Sequence, residues 1–255
     1  MFKKINISTI LVINDIKIYF RESYLGTLWQ SLFLLVQVLA MGPLFASIFS
    51  AKIGNYTLFL SINLLFWNFF SNYINQSTGS IIQLRHLFSN KDIGLLIPCL
   101  KTYFFNMFIL FQNFIIFSIL MIIFYDFTLA KLIYFFVIIF LLTLTFFPIG
   151  MIFSLLSLRF KDFSFLISNI TLFTFFVSPI IWNENQVSEK VLSVLIYNPL
   201  FHYLKILKIP FYDLSFNEIS YSLYILVTIF ITSFLLLIIL IKRIIKKNYL
   251  NWLFI

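Results

Sequence analysis

Apolar positions along the chain gather into long runs separated by short polar breaks. The runs cover 28–49, 57–77, 95–125, 132–156, 164–182 and 220–241, each near the ~20 residues that a helix needs to cross a bilayer. Between them lie SAKIGN (50–55), QLRHLFSNKD (83–92), the turn 126–131 and SLRFKDF (157–163), and KRIIKKN (242–248) ends the last run. The pattern predicts an all-α integral membrane protein of six transmembrane helices in one domain, 1–255. The third run is longer than a bilayer requires, so its start at Pro98 and Lys101 reads as an interfacial lead-in. Pro148 and Gly150 predict a kink in the fourth span.

Two stretches do not fit the spanning pattern. In residues 3–22, helical spacing puts Ile5, Val12, Ile13, Ile16, Tyr19 and Phe20 on one face and Asn6, Asn14, Lys17 and Arg21 opposite. That predicts an N-terminal amphipathic interface helix. Segment 183–218 holds two apolar pieces, VLSVLIY and FHYLKIL, both too short to cross and interrupted by Pro199 and Pro210. It predicts a short helical hairpin at the outer face between spans five and six, packed on the bundle.

Composition agrees with this reading. The chain is 62% hydrophobic and only 11% charged, with mean hydropathy +1.02, which a soluble domain of 255 residues could not sustain. The net charge of +9 suggests nucleic acid until the charges are located. With the N-terminus cytoplasmic, 13 of the 18 basic residues fall inside and five outside. That asymmetry puts both termini in the cytoplasm and accounts for the charge without nucleic acid. Cys99 stands alone, and His86 and His202 lie far apart, so neither a disulfide nor a metal site is indicated. After Lys3 and Lys4 the apolar run is broken by Asn6 and ends at Asn14–Asp15 without a cleavage site, unlike a secretory signal.

The predicted span centres carry no carboxylate, which argues against an ion-coupled carrier or an intramembrane acid–base enzyme. No GxxxxGK[ST] loop is present, so any ATP-driven function needs a partner. The spans carry amide and hydroxyl stripes instead: Ser61, Asn68, Asn72 and Asn75; Gln30 and Gln37; Asn106 and Asn113; Ser164, Ser168, Thr171 and Ser178. Such stripes must face protein or water, so they serve helix packing or line an uncharged conduit for a hydroxyl-rich substrate. Trp29, Phe66, Trp67, Phe69, Phe70, Tyr73, Phe175, Phe176 and Trp182 flank them. Aromatic rings accept the C–H faces of sugars, and they also fill apolar interiors and interfaces.

Five segments, in order, resemble the permease subunits of ABC-type polysaccharide exporters, which include O-antigen, capsule and teichoic-acid transporters. They are RESYLGTLWQ (21–30), LFWNFFSNYINQSTGSI (65–81), LRFKDF (158–163), VSPIIW (177–182) and YNPL (197–200). The chain departs from the common pattern at Glu22 and at HLFSN (86–90). The resemblance implies a homodimer in the bacterial plasma membrane, with each subunit docked to a nucleotide-binding ATPase chain that holds ATP and Mg²⁺. The present chain would itself bind no cofactor. The cargo would be a lipid-linked polysaccharide passing through a channel at the dimer interface.

Residues expected to line that channel are Trp29, Ser61, Phe66, Trp67, Asn68, Phe70, Asn72 and Tyr73. Those expected to couple to the ATPase are Lys17, Arg21, Arg85, His86, Lys91 and Asp92. A drug or lipid exporter on the same plan is the alternative. An integral membrane transferase would need a catalytic pair, for which Arg159 and Asp162 are the tight candidates, and a purely structural scaffold would use the stripes only for packing.

Overall fold

A computed structural model describes residues 2–85, 94–124, 129–212 and 216–246, and the regular structure among them is helical. The helices are α1 (Phe2–Glu22), α2 (Leu28–Ile48), α3 (Ile53–Gln83), α4 (Leu96–Phe124), α5 (Leu129–Leu144), α6 (Phe146–Arg159), α7 (Phe163–Val177), α8 (Glu189–Leu195), α9 (Pro199–Leu207) and α10 (Phe216–Lys246). Among the described residues, four stretches are long and apolar enough to cross a membrane: Leu28–Ile48, Leu96–Ile122, Leu129–Arg159 across α5 and α6, and Phe216–Arg243. Six were expected, and the two exceptions have different causes.

The first exception, α3, is long enough at 31 residues, about 46 Å at the α-helical rise, but too polar. It is the hub of the bundle, packed against α2, α4, α6, α7 and α9, and every residue from 56 to 66 is buried. A helix wrapped in protein needs no lipid-compatible surface, so α3 can carry amides that an exposed span could not. The second, α7, has 15 residues, about 22 Å against a hydrocarbon core of about 30 Å. It stops because Pro179 disfavours helical backbone at Ser178, which is extended (φ −88°, ψ 147°).

Beyond α7 the chain runs unwound through the interior, with Ser178, Pro179 and Ile180 buried. Their carbonyls need donors there. The Asn63 side-chain amide donates to the carbonyls of Pro179 (3.3 Å) and Ile180 (3.0 Å), and the Tyr56 hydroxyl donates to that of Ile181 at 2.5 Å. Asn198 completes the anchorage: its amide donates to Ser178 Oγ at 2.9 Å, and its Oδ1 caps α9 by accepting from the Leu200 N–H at 3.0 Å. Pro199 takes the first helical position, where its missing N–H costs nothing.

The segment between α7 and α10 departs from the expected surface hairpin. Its first helix, α8, is largely exposed and buries only Leu195. Its second, α9, buries Leu200 to Leu204, Ile206 and Leu207, and is therefore a core element. Tyr203 sits at the break between α5 and α6, where its hydroxyl lies 2.6 Å from Thr145 Oγ1 and its ring lies 4.6 Å from that of Phe146. The break falls at the expected kink: Pro148 has no N–H to offer the Leu144 carbonyl. Two residues on, Gly150 abuts α3 so closely that a Cβ would overlap the Tyr73 hydroxyl and the Ser77 Oγ. Ser154 then donates to the Ser77 carbonyl at 2.7 Å, closing a seam of small residues.

Helix α1 runs along α4, and of its expected apolar face Val12 is buried there while Ile13, Tyr19 and Phe20 remain largely exposed. Contacts advance in step along both helices: Ser8 Oγ to the Ile97 carbonyl (3.2 Å), Lys101 Nζ to Asp15 (2.6 Å), and Tyr19 stacked on Phe105 (5.6 Å). Val12, Phe105 and Ile109 form the buried cluster between them.

Asn63→Leu would leave two buried carbonyls without donors at nearly unchanged volume. The expected cost is about 1–3 kcal/mol, seen as a lower melting temperature of the purified protein and greater proteolysis between α7 and α8.

Candidate functional site

A polar groove of about 450 Å³ opens between α2, α3 and α4. From α2 come Trp29, Gln30, Phe33 and Gln37, from α3 Trp67, Asn68, Ser71 and Asn72, and from α4 Asn113. The i, i+4, i+8 spacing of α2 and the i, i+4, i+5 spacing of α3 bring these side chains to facing sides of the two helices. Asn68 donates to Gln37 Oε1 at 3.2 Å, which ties the walls together. Two acceptors in the lining, Gln30 Oε1 and Asn113 Oδ1, are buried and have no hydrogen-bond partner. The groove carries five amides, a hydroxyl and two indoles, and no charge.

Of the residues expected to line a channel, Trp29, Trp67, Asn68 and Asn72 meet in this groove. The others are placed elsewhere, which corrects the expectation for them. Ser61 is 3% exposed, and its hydroxyl donates to the Leu58 carbonyl on its own helix. Phe66 and Tyr73 are each 1% exposed and face inward, Phe66 stacking on Tyr203 at 5.6 Å and Tyr73 on Phe69 at 5.8 Å. A step of one residue along a helix turns a side chain by about 100°, so neighbours of Trp67 and Asn72 reach the core instead. Phe70 faces a separate apolar cleft.

Sequence reasoning overlooked Ser71 and Phe33 in the lining, and Asn63 behind it. The available signal for Asn63 was an amide in the largely apolar stretch LSINLLF, two residues from Ser61 and so off the face of the recognised stripe.

The residues expected to engage a partner divide as well. Lys17 and Arg21 are exposed on α1, and Arg85 is exposed just beyond α3. His86, Lys91 and Asp92 lie outside the described residues. The chain just beyond that stretch is close to α1, because Ser8 bonds to the start of α4 and Gly94 lies beside Lys4 Nζ.

Between α1 and α2 the chain turns at Gly26, whose φ is +50° and whose Cβ position is taken up by the Phe20 ring. Only glycine serves there, on both counts. Thr27 follows, accepting from Gln112 Nε2 at 3.1 Å, so the junction is stapled to α4.

A further cavity of about 470 Å³ lies among α8, α9 and α10, where Glu184, His202, Lys205, Glu218 and Tyr221 approach one another. Lys205 and Glu218 pair at 3.0 Å. His202 uses both ring nitrogens, one 3.1 Å from Ser222 Oγ and one 2.9 Å from the Ile196 carbonyl, and burial pushes its pKa below the ordinary value. At the end of α9, Lys208 is 7% exposed and its ammonium stands 4.6 Å from the centre of the Phe59 ring. Burial lowers its pKa from 10.5 to about 8.

Residues 8–212 match the family described as ABC-2 type transporter. No curated protein matches the chain.

The buried lysine gives a pH dependence with a definite sign. Its folded-state pKa lies below the unfolded value, so the unfolded chain holds more protons between about 8 and 10.5. Stability is expected to rise with pH through that window. Lys208→Met is expected to flatten the rise and to raise the melting temperature at neutral pH, measured by thermal unfolding across the range.

Proposed function

The chain belongs to the ABC-2 type transporter family, and on that premise we propose that it is the channel-forming permease of an ATP-driven exporter of lipid-linked polysaccharide. It is a multi-pass membrane transport subunit with several apolar helices. Two copies would pair, each docked to a separate ATPase chain that binds ATP and Mg²⁺. In this reading α3 and α7 complete six spans, α3 shielded by its neighbours and α7 lengthened by the unwound Ser178–Trp182. Both termini face the cytoplasm of a bacterial plasma membrane, because basic residues concentrate on that side.

The observation that carries the reading is the lining of the groove. A polysaccharide offers many hydroxyl donors and the apolar C–H faces of its rings. The half-buried amides of Gln37, Asn68 and Asn72 can meet those hydroxyls, and Trp29 and Trp67 offer flat apolar surface beside them. With no fixed charge in the lining, a long polar chain can slide without being trapped at one position. The face of α1 bearing Lys17 and Arg21, with the Arg85–Asp92 segment, is the surface for the ATPase.

Reconstitution with its ATPase in vesicles tests the reading. Trp67→Ala and Asn68→Leu are expected to lower glycan export by about tenfold each, a loss of roughly 1.4 kcal/mol, with basal ATP hydrolysis retained. Stimulation of hydrolysis by hydrophobic drugs or free lipids, and not by lipid-linked glycan, would assign the chain to drug or lipid export instead. Gly26→Leu collides with Phe20 and strains the left-handed turn. It should let the protein insert and bind the ATPase while hydrolysis proceeds without export.

A further inference from the structure

Helix α7 borders two cavities of opposite character. Its Phe175 packs on Trp67 at the edge of the polar groove, with ring centres 5.2 Å apart. Its other flank faces a cleft of about 520 Å³ among α3, α6, α7, α9 and α10, lined by Phe70, Phe146, Phe153, Ile170, Phe173 and Ile229 with other apolar side chains. The cleft persists because α7 packs on α3 and α6 while α10 packs on α6 and α9, so α7 and α10 stand apart as its walls.

The few polar groups in this lining are already satisfied. Thr171 and Thr174 donate to the carbonyls of Ile167 (2.8 Å) and Ile170 (2.6 Å) on their own helix. Tyr203 is bonded to Thr145, and Asn198 is engaged at both ends, by Ser178 and by the Leu200 N–H. An occupant would find no hydrogen bond to make, so it is hydrocarbon.

The cleft opens sideways, since Ile170, Phe173 and Val177 on its rim are 52%, 68% and 57% exposed. A helix about 10 Å across would fill the whole volume with about one turn, so a helix of a second copy does not fit. A single hydrocarbon chain does, and in a membrane such chains are present at solvent concentration.

Trp182 fixes the level of the cleft. It lies five residues beyond the end of α7 and donates its indole N–H back to the Phe176 carbonyl at 3.3 Å, and tryptophan in such a position marks the membrane–water interface. We propose that one acyl chain of a bilayer phospholipid resides in this cleft, in the leaflet on the Trp182 side, as a replaceable filler between α7 and α10. The filler supports α7 from behind while leaving it free to move against the groove.

The test uses the full chain in nanodiscs of phosphatidylglycerol carrying a diazirine midway along one acyl chain, followed by photolysis and peptide mapping. Label is expected at residues 170–177 and at Ile229, in excess of label at Val137 and Phe140, which are 46% and 44% exposed on α5. Ile170→Trp with Thr174→Trp should reduce the α7 label by about tenfold, the loss expected when room for about two methylenes is taken, and leave the α5 label unchanged. Ile170→Phe provides a milder version if the double variant elutes abnormally.

Three results would overturn the proposal. Equal label on α7 and α5 would mean ordinary boundary lipid, and no label on α7 would mean that protein closes the cleft. Loss of label on adding unlabelled polyprenyl phosphate at a few mole per cent would mean that the cleft belongs to a carrier lipid.

Discussion

A buried carbonyl without a donor is the constraint on which this bundle turns. The chain leaves helix at Ser178 while still inside the protein, and the exposed backbone there is answered from α3 by Asn63 and Tyr56. Without those donors α7 would have to continue as helix or withdraw to an aqueous surface, since unpaired backbone is too costly in an apolar interior. The polarity of α3 follows from this service. A helix that must reach into its neighbours with amides has to be surrounded by them, and α3 touches five other helices. The seam around Gly150, the break at Thr145 and the burial of α9 are arranged about the same central helix.

The two flanks of α7 show how a short helix can separate unlike environments. Towards α3 lie indoles and amides, and towards α10 lies hydrocarbon. Of its polar side chains, Ser168, Asn169, Thr171 and Thr174 each donate to the carbonyl one turn back, so α7 presents little demand to either side. Few bonds other than packing hold it, apart from Ser168 Oγ donating to Asn75 Oδ1 at 3.1 Å. Its polar anchorage is concentrated just past its last turn, at Ser178 to Ile181.

Much of this was legible in the sequence, where a single physical rule decides the outcome. Apolar length placed α2, α4 and α10 closely, because a helix that faces lipid must be apolar along its whole length. Helical spacing gathered Gln30, Gln37, Asn68, Asn72 and Asn113 correctly into uncharged stripes. It could not show that Ser61, on the same stripe, lies where α3 is enclosed on every side. Nor could it separate Phe66 and Tyr73 from their neighbours, since aromatics suit both core and groove. The role of Asn63 depends on a partner 116 and 117 residues later in the chain, a pairing that no local pattern encodes. The burial of α9 was hidden for the same reason: its apolar residues look alike whether the neighbouring surface is lipid or protein.

The position of α9 has a consequence for how the molecule is made. The helix enters a space bounded by α3, α5 and α6, all of which are synthesised before it, and Tyr203 settles against Thr145 only once that space exists. Until then the space beside Thr145 and Phe146 that Tyr203 fills stays open, a void whose lining lacks its packing partners. The first seven helices therefore form an unfinished vessel, and the late segment that closes it is also what makes it stable. Cellular surveillance of a stalled or truncated chain would read that open apolar space as the mark of an incomplete product.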